Sequence, residues 1–380
     1  MNARIALVAL ALVGCSKKSE GTTATPGART PIVGLVTDVG GRGDQSFNDS
    51  ALRGLEAWAA GQKSVDGKYV ALAPEERKAS LPAELEARVV TLGIKPLVVQ
   101  SKAQEDYQPN LQLVVDQGAD LTIGTGFMLE NAVETVARQN TGAKFLLIDS
   151  PILDAKGTPQ ALPNVRTVVF KEEEGSFLVG ALAGLVSKSG TLGFVGGMEI
   201  PLIKKFEAGF RAGVKTTNPK ATVLVQYTGS FDNVAAGKQA AQDLVSKGCE
   251  VVFHAAGSDG NGVIQAIKEA RAAGKNVYVI GVDSDQSHLA PDAVLTSMVK
   301  RVDLAVWQAA SDLKAGTFGP GDLTMGLKEG GVTYAPVRID FPEKAAALAK
   351  VEALRAKVVG GALKVPSNTA DLERFIPPAD

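Results

Sequence analysis

Short apolar runs alternate with windows of helical period from residue 32 almost to residue 300. Residues 32–37, 97–99, 121–123 and 145–148 are such runs in the first half. Residues 165–170, 191–195, 222–227, 250–254, 277–282 and 294–299 repeat them in the second. Runs this short, apolar on both faces, predict strands buried between helices, which is the pattern of parallel βαβ units. Windows at 50–61, 109–117 and 129–139 read as the intervening helices. Phe206, Phe210 and Val214 lie four apart, and Val263, Ile264 and Ile267 form another apolar stripe. A single α/β domain does not hold so many strands, so the chain predicts two doubly wound parallel-sheet lobes joined by several hinge strands.

The punctuation suggests where the lobes divide. Residues 31–152, with 298–320, are expected to form the first lobe, and 153–297, with 321–345, the second. Residues 346–380 follow as a C-terminal segment. The loop at 150–163, rich in Pro, Gly and Asp, is the expected first junction.

In open α/β sheets a ligand sits beyond the carboxyl ends of the strands. Those ends carry a recurrent set of small, acidic and aromatic residues here. Asp38 to Ser50 follows the first run and includes Asp44, Phe47, Asn48 and Asp49. Phe127, Asp149, Phe231, Gly257 and Asp283 follow later runs, and Lys300 closes the last. Taken singly, an Asp, Asn or Ser at such a place is usually an N-cap, and a lone Phe is more often packing. Their recurrence at successive strand ends favours a binding cleft.

Other chemistry finds no support. The 40 basic and 41 acidic residues nearly cancel without a basic stripe, which argues against a nucleic-acid partner. The two histidines and two cysteines have no metal-ligand spacing, and neither a Gly-x-Ser-x-Gly elbow nor a phosphate loop is present. No enzyme, metal or cofactor is expected. Arg42-Gly43-Asp44 matches the cell-adhesion tripeptide in letters only.

The string Asp-x-Gly-Gly-x-x-Asp-x-Ser-Phe-Asn at Asp38 to Asn48 resembles the first loop of the basic membrane protein family, the purine-nucleoside-receptor type of ABC-transporter substrate-binding lipoproteins. Gly197-Met198-Glu199-Ile200-Pro201 with Phe206-Glu207-x-Gly209-Phe210, Gly281-Val282-Asp283-x-Asp285-Gln286, and Thr296 to Lys300 fit the same family. The resemblance implies the type I periplasmic-binding-protein fold and a purine nucleoside held between the lobes. It implies that Phe231 stacks on the base, while Asp44, Asn48, Asp49, Ser50 and Asp149 address the base edge. It further implies that Asp283 and Lys300 hold the ribose and that Gly257 permits close approach. Leu52 departs from the family, which often has a second aromatic there. The stack is then either one-sided or completed by Phe47 or Phe127, and a sensor or receptor lipoprotein of the same fold for a different small polar ligand, such as a sugar, is the alternative function. A membrane permease is the implied partner of a monomeric receptor.

The first residues carry a separate message. Arg4 precedes an apolar run at 5–13, too short to cross ~30 Å of hydrocarbon as a helix. Residues 1–14 therefore read as a signal peptide. Leu12-Val13-Gly14-Cys15 resembles the bacterial lipobox, which implies acylation of Cys15 and a polar tether over 15–30, placing the protein on the envelope and facing the periplasm or outer surface. Cys249 would then lack a disulfide partner and read as a buried small hydrophobe.

Overall fold

The computed structural model describes residues 29–378, so Cys15, the signal peptide and most of the tether lie outside the described residues. The strands in chain order are β1 (Ile32–Val36), β2 (Gln62–Val65), β3 (Lys68–Ala71), β4 (Lys95–Val99), β5 (Leu121–Thr125), β6 (Phe145–Ile148) and β7 (Val165–Phe170). They continue as β8 (Thr191–Gly196), β9 (Thr222–Tyr227), β10 (Val251–Ala255), β11 (Tyr278–Asp283), β12 (Val294–Lys300), β13 (Gly321–Met325) and β14 (Val332–Tyr334).

Two six-stranded sheets result, ordered β13-β7-β6-β5-β1-β4 and β14-β12-β11-β10-β8-β9. The orders correspond strand for strand, and every pair is parallel except β12–β14. Strands β5, β6 and β10 are buried along their whole length because helices cover both sheet faces, and β6, Phe-Leu-Leu-Ile, is accordingly apolar without alternation. The antiparallel hairpin β2–β3 stands apart from both sheets.

The chain passes between the lobes at three places among the described residues. Strand β7 belongs to the first sheet, and the helix Glu172–Val186 that follows packs in the second lobe. Strand β12 belongs to the second sheet, and the helix Val302–Ala315 packs back on the π-helical segment Arg53–Ala60 of the first. Strand β13 then joins β7 in the first sheet before β14 joins β12 in the second.

Two expected boundaries are thereby corrected. The first junction lies at Phe170–Glu172 rather than after residue 152, and β13 belongs to the first lobe rather than the second. The loop between β6 and β7 only imitates a linker. Ile152 and Leu162 are buried in the first lobe's core, and the Glu130 carboxylate accepts from Ser150 Oγ and Leu153 N, each at 2.9 Å. Strands β6 and β7 are parallel neighbours joined without a helix, which departs from the βαβ grammar used to divide the chain.

Cys249 is free and buried, and burial pushes its thiol up to about 11. Among the described residues no helix is long and apolar enough to cross a membrane.

Candidate functional site

The carboxyl ends of both sheets face one cleft, because all their long strands run the same way and the hinge folds the two ends toward each other. From the first lobe, Asp38, Asp44, Phe47, Asn48, Phe127 and Asp149 line it. From the second come Phe231, Gly257, Ser258 and Asp283, with Lys300 at the end of β12.

Asp49 and Ser50 do not line the cleft. The Asp49 carboxylate turns back to accept from Gly43 N at 2.9 Å and Gln45 N at 3.0 Å, shaping the loop. Ser50 is buried, and its Oγ accepts from Asp303 N at 3.2 Å. Leu52 is buried in the first lobe's core and also lies outside the cleft. The residue there therefore has no bearing on the second aromatic face, and both Phe47 and Phe127 are at hand to supply it. Phe127 meets Phe231 edge-on, with ring centroids 6.2 Å apart. In the Arg42-Gly43-Asp44 stretch, Arg42 is locked in a two-pronged bond to Glu56 at 2.6 and 3.0 Å, and Asp44 is buried. Arg42 and Gly43 are exposed but the Asp44 carboxylate is not, so the tripeptide is not presented as a unit.

Asp44 is the hub of the first loop. Its carboxylate accepts from the backbone N–H of Ser46, Asn48 and Asp49 at 2.9, 2.7 and 3.1 Å. Asn48 Nδ2 donates to Asp38 Oδ1 at 2.7 Å and to Asp44 Oδ2 at 3.0 Å. Both partners accept, so the amide has one sensible orientation and presents Asn48 Oδ1 as an acceptor. That oxygen is buried and has no hydrogen-bond partner among the described residues. Asp149 Oδ1 and Asp283 Oδ1 are in the same condition. A buried acceptor left unmade costs roughly 1–3 kcal/mol, so three of them around one cleft suit a ligand rich in donors.

Lys300 sits among these acceptors. Its Nζ donates to Asp149 Oδ2 at 2.5 Å and lies 3.8 Å from Asp283 and 3.7 Å from Glu172. The rings of Phe47, Phe206 and Phe170 surround the ammonium at 4.8, 5.4 and 5.6 Å. Burial opposes its charge, yet the three carboxylates hold its pKa above the usual lysine range. Burial likewise pushes Asp38, Asp44 and Asp283 up to about 6, although hydrogen bonds to each pull the other way.

Asp149 and Asp283 occupy matching places at the ends of β6 and β11, the third strand of each sheet. Both are left-handed, with φ of 70° and 62°. A non-glycine residue there is uncommon and is retained where its surroundings demand it. The matching kinks turn two carboxylates inward from opposite lobes.

Some contributors escaped the reading of the sequence. Leu202, Ile203 and Phe206 line the second lobe's wall, though Phe206 reads in sequence as one member of a core stripe. Glu172 is wholly buried beside Lys300; within Glu172-Glu173-Glu174 it looks like an ordinary acidic first helical turn. Asp38 is visible as a strand end and lines the cleft as well.

Comparison with known proteins agrees with this architecture. The profile of the Bmp family, described as "ABC transporter substrate-binding protein PnrA-like", matches residues 32–368. The CD4+ T-cell-stimulating antigen of Listeria monocytogenes is 35% identical over 94% of each chain. The ABC transporter nucleoside-binding protein BmpA of Lactococcus lactis is 32% identical, over 96% of this chain and 97% of that one. An ABC transporter system solute-binding protein from Aeropyrum pernix superposes with a TM-score of 0.73 at 26% identity, covering 90% of this chain and 96% of that one. The two-lobed architecture is that of type I periplasmic binding proteins.

Proposed function

Because this chain belongs to the PnrA-like family of ABC transporter substrate-binding proteins, we propose that it captures a purine nucleoside between its lobes for import. The family binds a solute and delivers it to a membrane permease; it does not transform the solute. The observation that carries the finer reading is the set of three buried acceptors that receive no hydrogen bond among the described residues, Asn48 Oδ1, Asp149 Oδ1 and Asp283 Oδ1. A nucleoside supplies donors to all three at once. Vicinal ribose hydroxyls suit Asp149 and Asp283 on either side of Lys300, and an N–H on the base edge suits Asn48, with Asp38 beside it. Charge-assisted bonds of this kind are the strong ones. The apolar walls made by Phe231, Phe127 and Phe206 suit a planar ring better than a second sugar. The nucleoside-binding name of the Lactococcus relative points the same way. Acylated at Cys15, the receptor would work as a tethered monomer at the envelope surface.

Titration calorimetry with guanosine, inosine, adenosine and ribose, on protein unfolded and refolded to remove carried ligand, tests the reading. Nucleosides should release heat and ribose far less. Asp283→Asn keeps the shape and tolerates the left-handed backbone, but removes the charge. It should weaken nucleoside binding about 10-fold or more, the worth of one charged hydrogen bond, and leave the melting temperature unchanged or higher. Silence with every nucleoside would sink the proposal.

A further inference from the structure

The Phe231 ring rests on a bare backbone. A Cβ built on Gly197 would lie 2.4 and 2.5 Å from Phe231 Cε1 and Cδ1, and 2.6 Å from Ser230 O. No real side chain tolerates such contacts, so the ring occupies space that only glycine leaves open. Gly197 itself cannot retreat easily. Its N–H donates to Ala255 O at 3.0 Å, and its carbonyl accepts from Gly229 N at 3.1 Å. Strand β10 holds it on one side and the loop after β9 on the other.

The loop that carries the ring is pinned as firmly. Asp259, at the start of the helix Asp259–Ala272, is wholly buried. Its Oδ2 accepts from Ser230 Oγ at 3.0 Å and its Oδ1 accepts from Asn233 N at 2.5 Å. Between those points Phe231 O accepts from Ser258 N at 2.9 Å. Gly257, with φ of 54°, lets that carbonyl approach, since a Cβ there would lie 3.0 Å from it. The residues on both sides of Phe231 and its own carbonyl are thus tied to one helix start, while its ring is seated on Gly197.

We infer that Gly197 and Asp259, neither of which lines the cleft, are positioning residues that hold the Phe231 ring as a fixed platform for a planar ligand group. A platform set before the ligand arrives spares the ordering cost that a free phenyl ring would incur on binding. Phe127, which meets this platform edge-on from the other lobe, is the ring left to adjust. The consequence for affinity rests on the nucleoside reading; the positioning itself does not.

Two measurements separate those claims. In ligand-free protein carrying ring-labelled phenylalanine, the Phe231 resonances are assigned by their loss in Phe231→Leu. They should move in both Gly197→Ala and Asp259→Asn, together with those of its ring neighbour Phe127, while the other phenylalanines stay unchanged. Asp259→Asn serves alone should Gly197→Ala not fold. In guanosine titrations each variant should bind about 5- to 150-fold more weakly, the range that base–aromatic stacking spans. Combined with Phe231→Ala, each should add nothing to the loss that Phe231→Ala causes alone. Unmoved Phe231 resonances in both variants, or losses that multiply in the double variants, would overturn the inference. Shifted resonances in protein that binds no nucleoside would overturn the nucleoside reading and leave the positioning role standing.

Discussion

Three carboxyls in the cleft, Asp38, Asp44 and Asp283, are pushed by burial from 3.8 up to about 6. A carboxyl with a higher pKa folded than unfolded binds its proton more tightly in the folded protein. Its contribution to stability is complete below about pH 4 and is lost as pH rises through about 6. The charged form is therefore a strained state that the fold tolerates at neutral pH. Asp38→Asn should flatten part of the decline in urea stability between pH 4 and 7, by up to about 3 kcal/mol. A variant as steep as the parent over that range would show that Asp38 does not titrate there. Donors from a ligand favour the ionised form, so nucleoside affinity should follow the opposite course and strengthen over the same interval.

At the scale of elements, the helices Glu172–Val186 and Pro201–Thr217 approach so closely that their contact is backbone on backbone. A Cβ on Gly180 would lie 2.2 Å from Phe210 O, one on Gly213 2.1 Å from Phe177 O, and one on Gly209 2.2 Å from Glu173 O. This contact fixes the first turn of the Glu172 helix just beyond the first hinge strand. Lys205 reinforces it by donating to Phe170 O at 3.0 Å and to Glu172 Oε2 at 3.1 Å. Gly213→Ala must push the helices apart and should cost about 1–3 kcal/mol, the usual penalty for overpacking, measured as a lower urea midpoint. An unchanged midpoint would mean that the pair slides without loss. The Phe-Glu-x-Gly-Phe motif is thus split in use. Its first ring lines the cleft, its glycine packs the helices, and its second ring packs on Phe194 and Phe253 of the sheet.

For the molecule as a whole, closure is written in bonds that cross the cleft. Ser46 Oγ donates to Asp283 Oδ2 at 2.6 Å, Asn261 Nδ2 to Asp44 O at 3.2 Å, and Gln286 Nε2 to Gln45 O at 3.1 Å. An open form would exchange each for water at a small net loss, so a ligand that bridges the lobes should bias them toward closure. Saturating guanosine should lower the radius of gyration in small-angle scattering. Ser46→Ala should weaken guanosine several-fold by depleting the closed form that binds it. Scattering curves that coincide with and without bound ligand would show that the lobes do not move.

Much of this was legible in one dimension, and the division has a cause. Apolar runs buried on both faces mark parallel strands, and the residues that end them are delivered to one edge of the sheet. That is why Asp44, Asn48, Phe231, Asp283 and Lys300 could be picked out without coordinates, and why the family resemblance falls on those loops. Which strand lies beside which is another matter. The pairing of β7 with β6, and of β13 with β7, joins segments whose local patterns would suit either sheet. The inward turn of Glu172 and Phe206, and the outward turn of Asp49, likewise depend on what packs against them. Local sequence governs period and punctuation. Partnership between distant segments is settled by burial and hydrogen bonding in three dimensions, and a linear pattern holds no record of it.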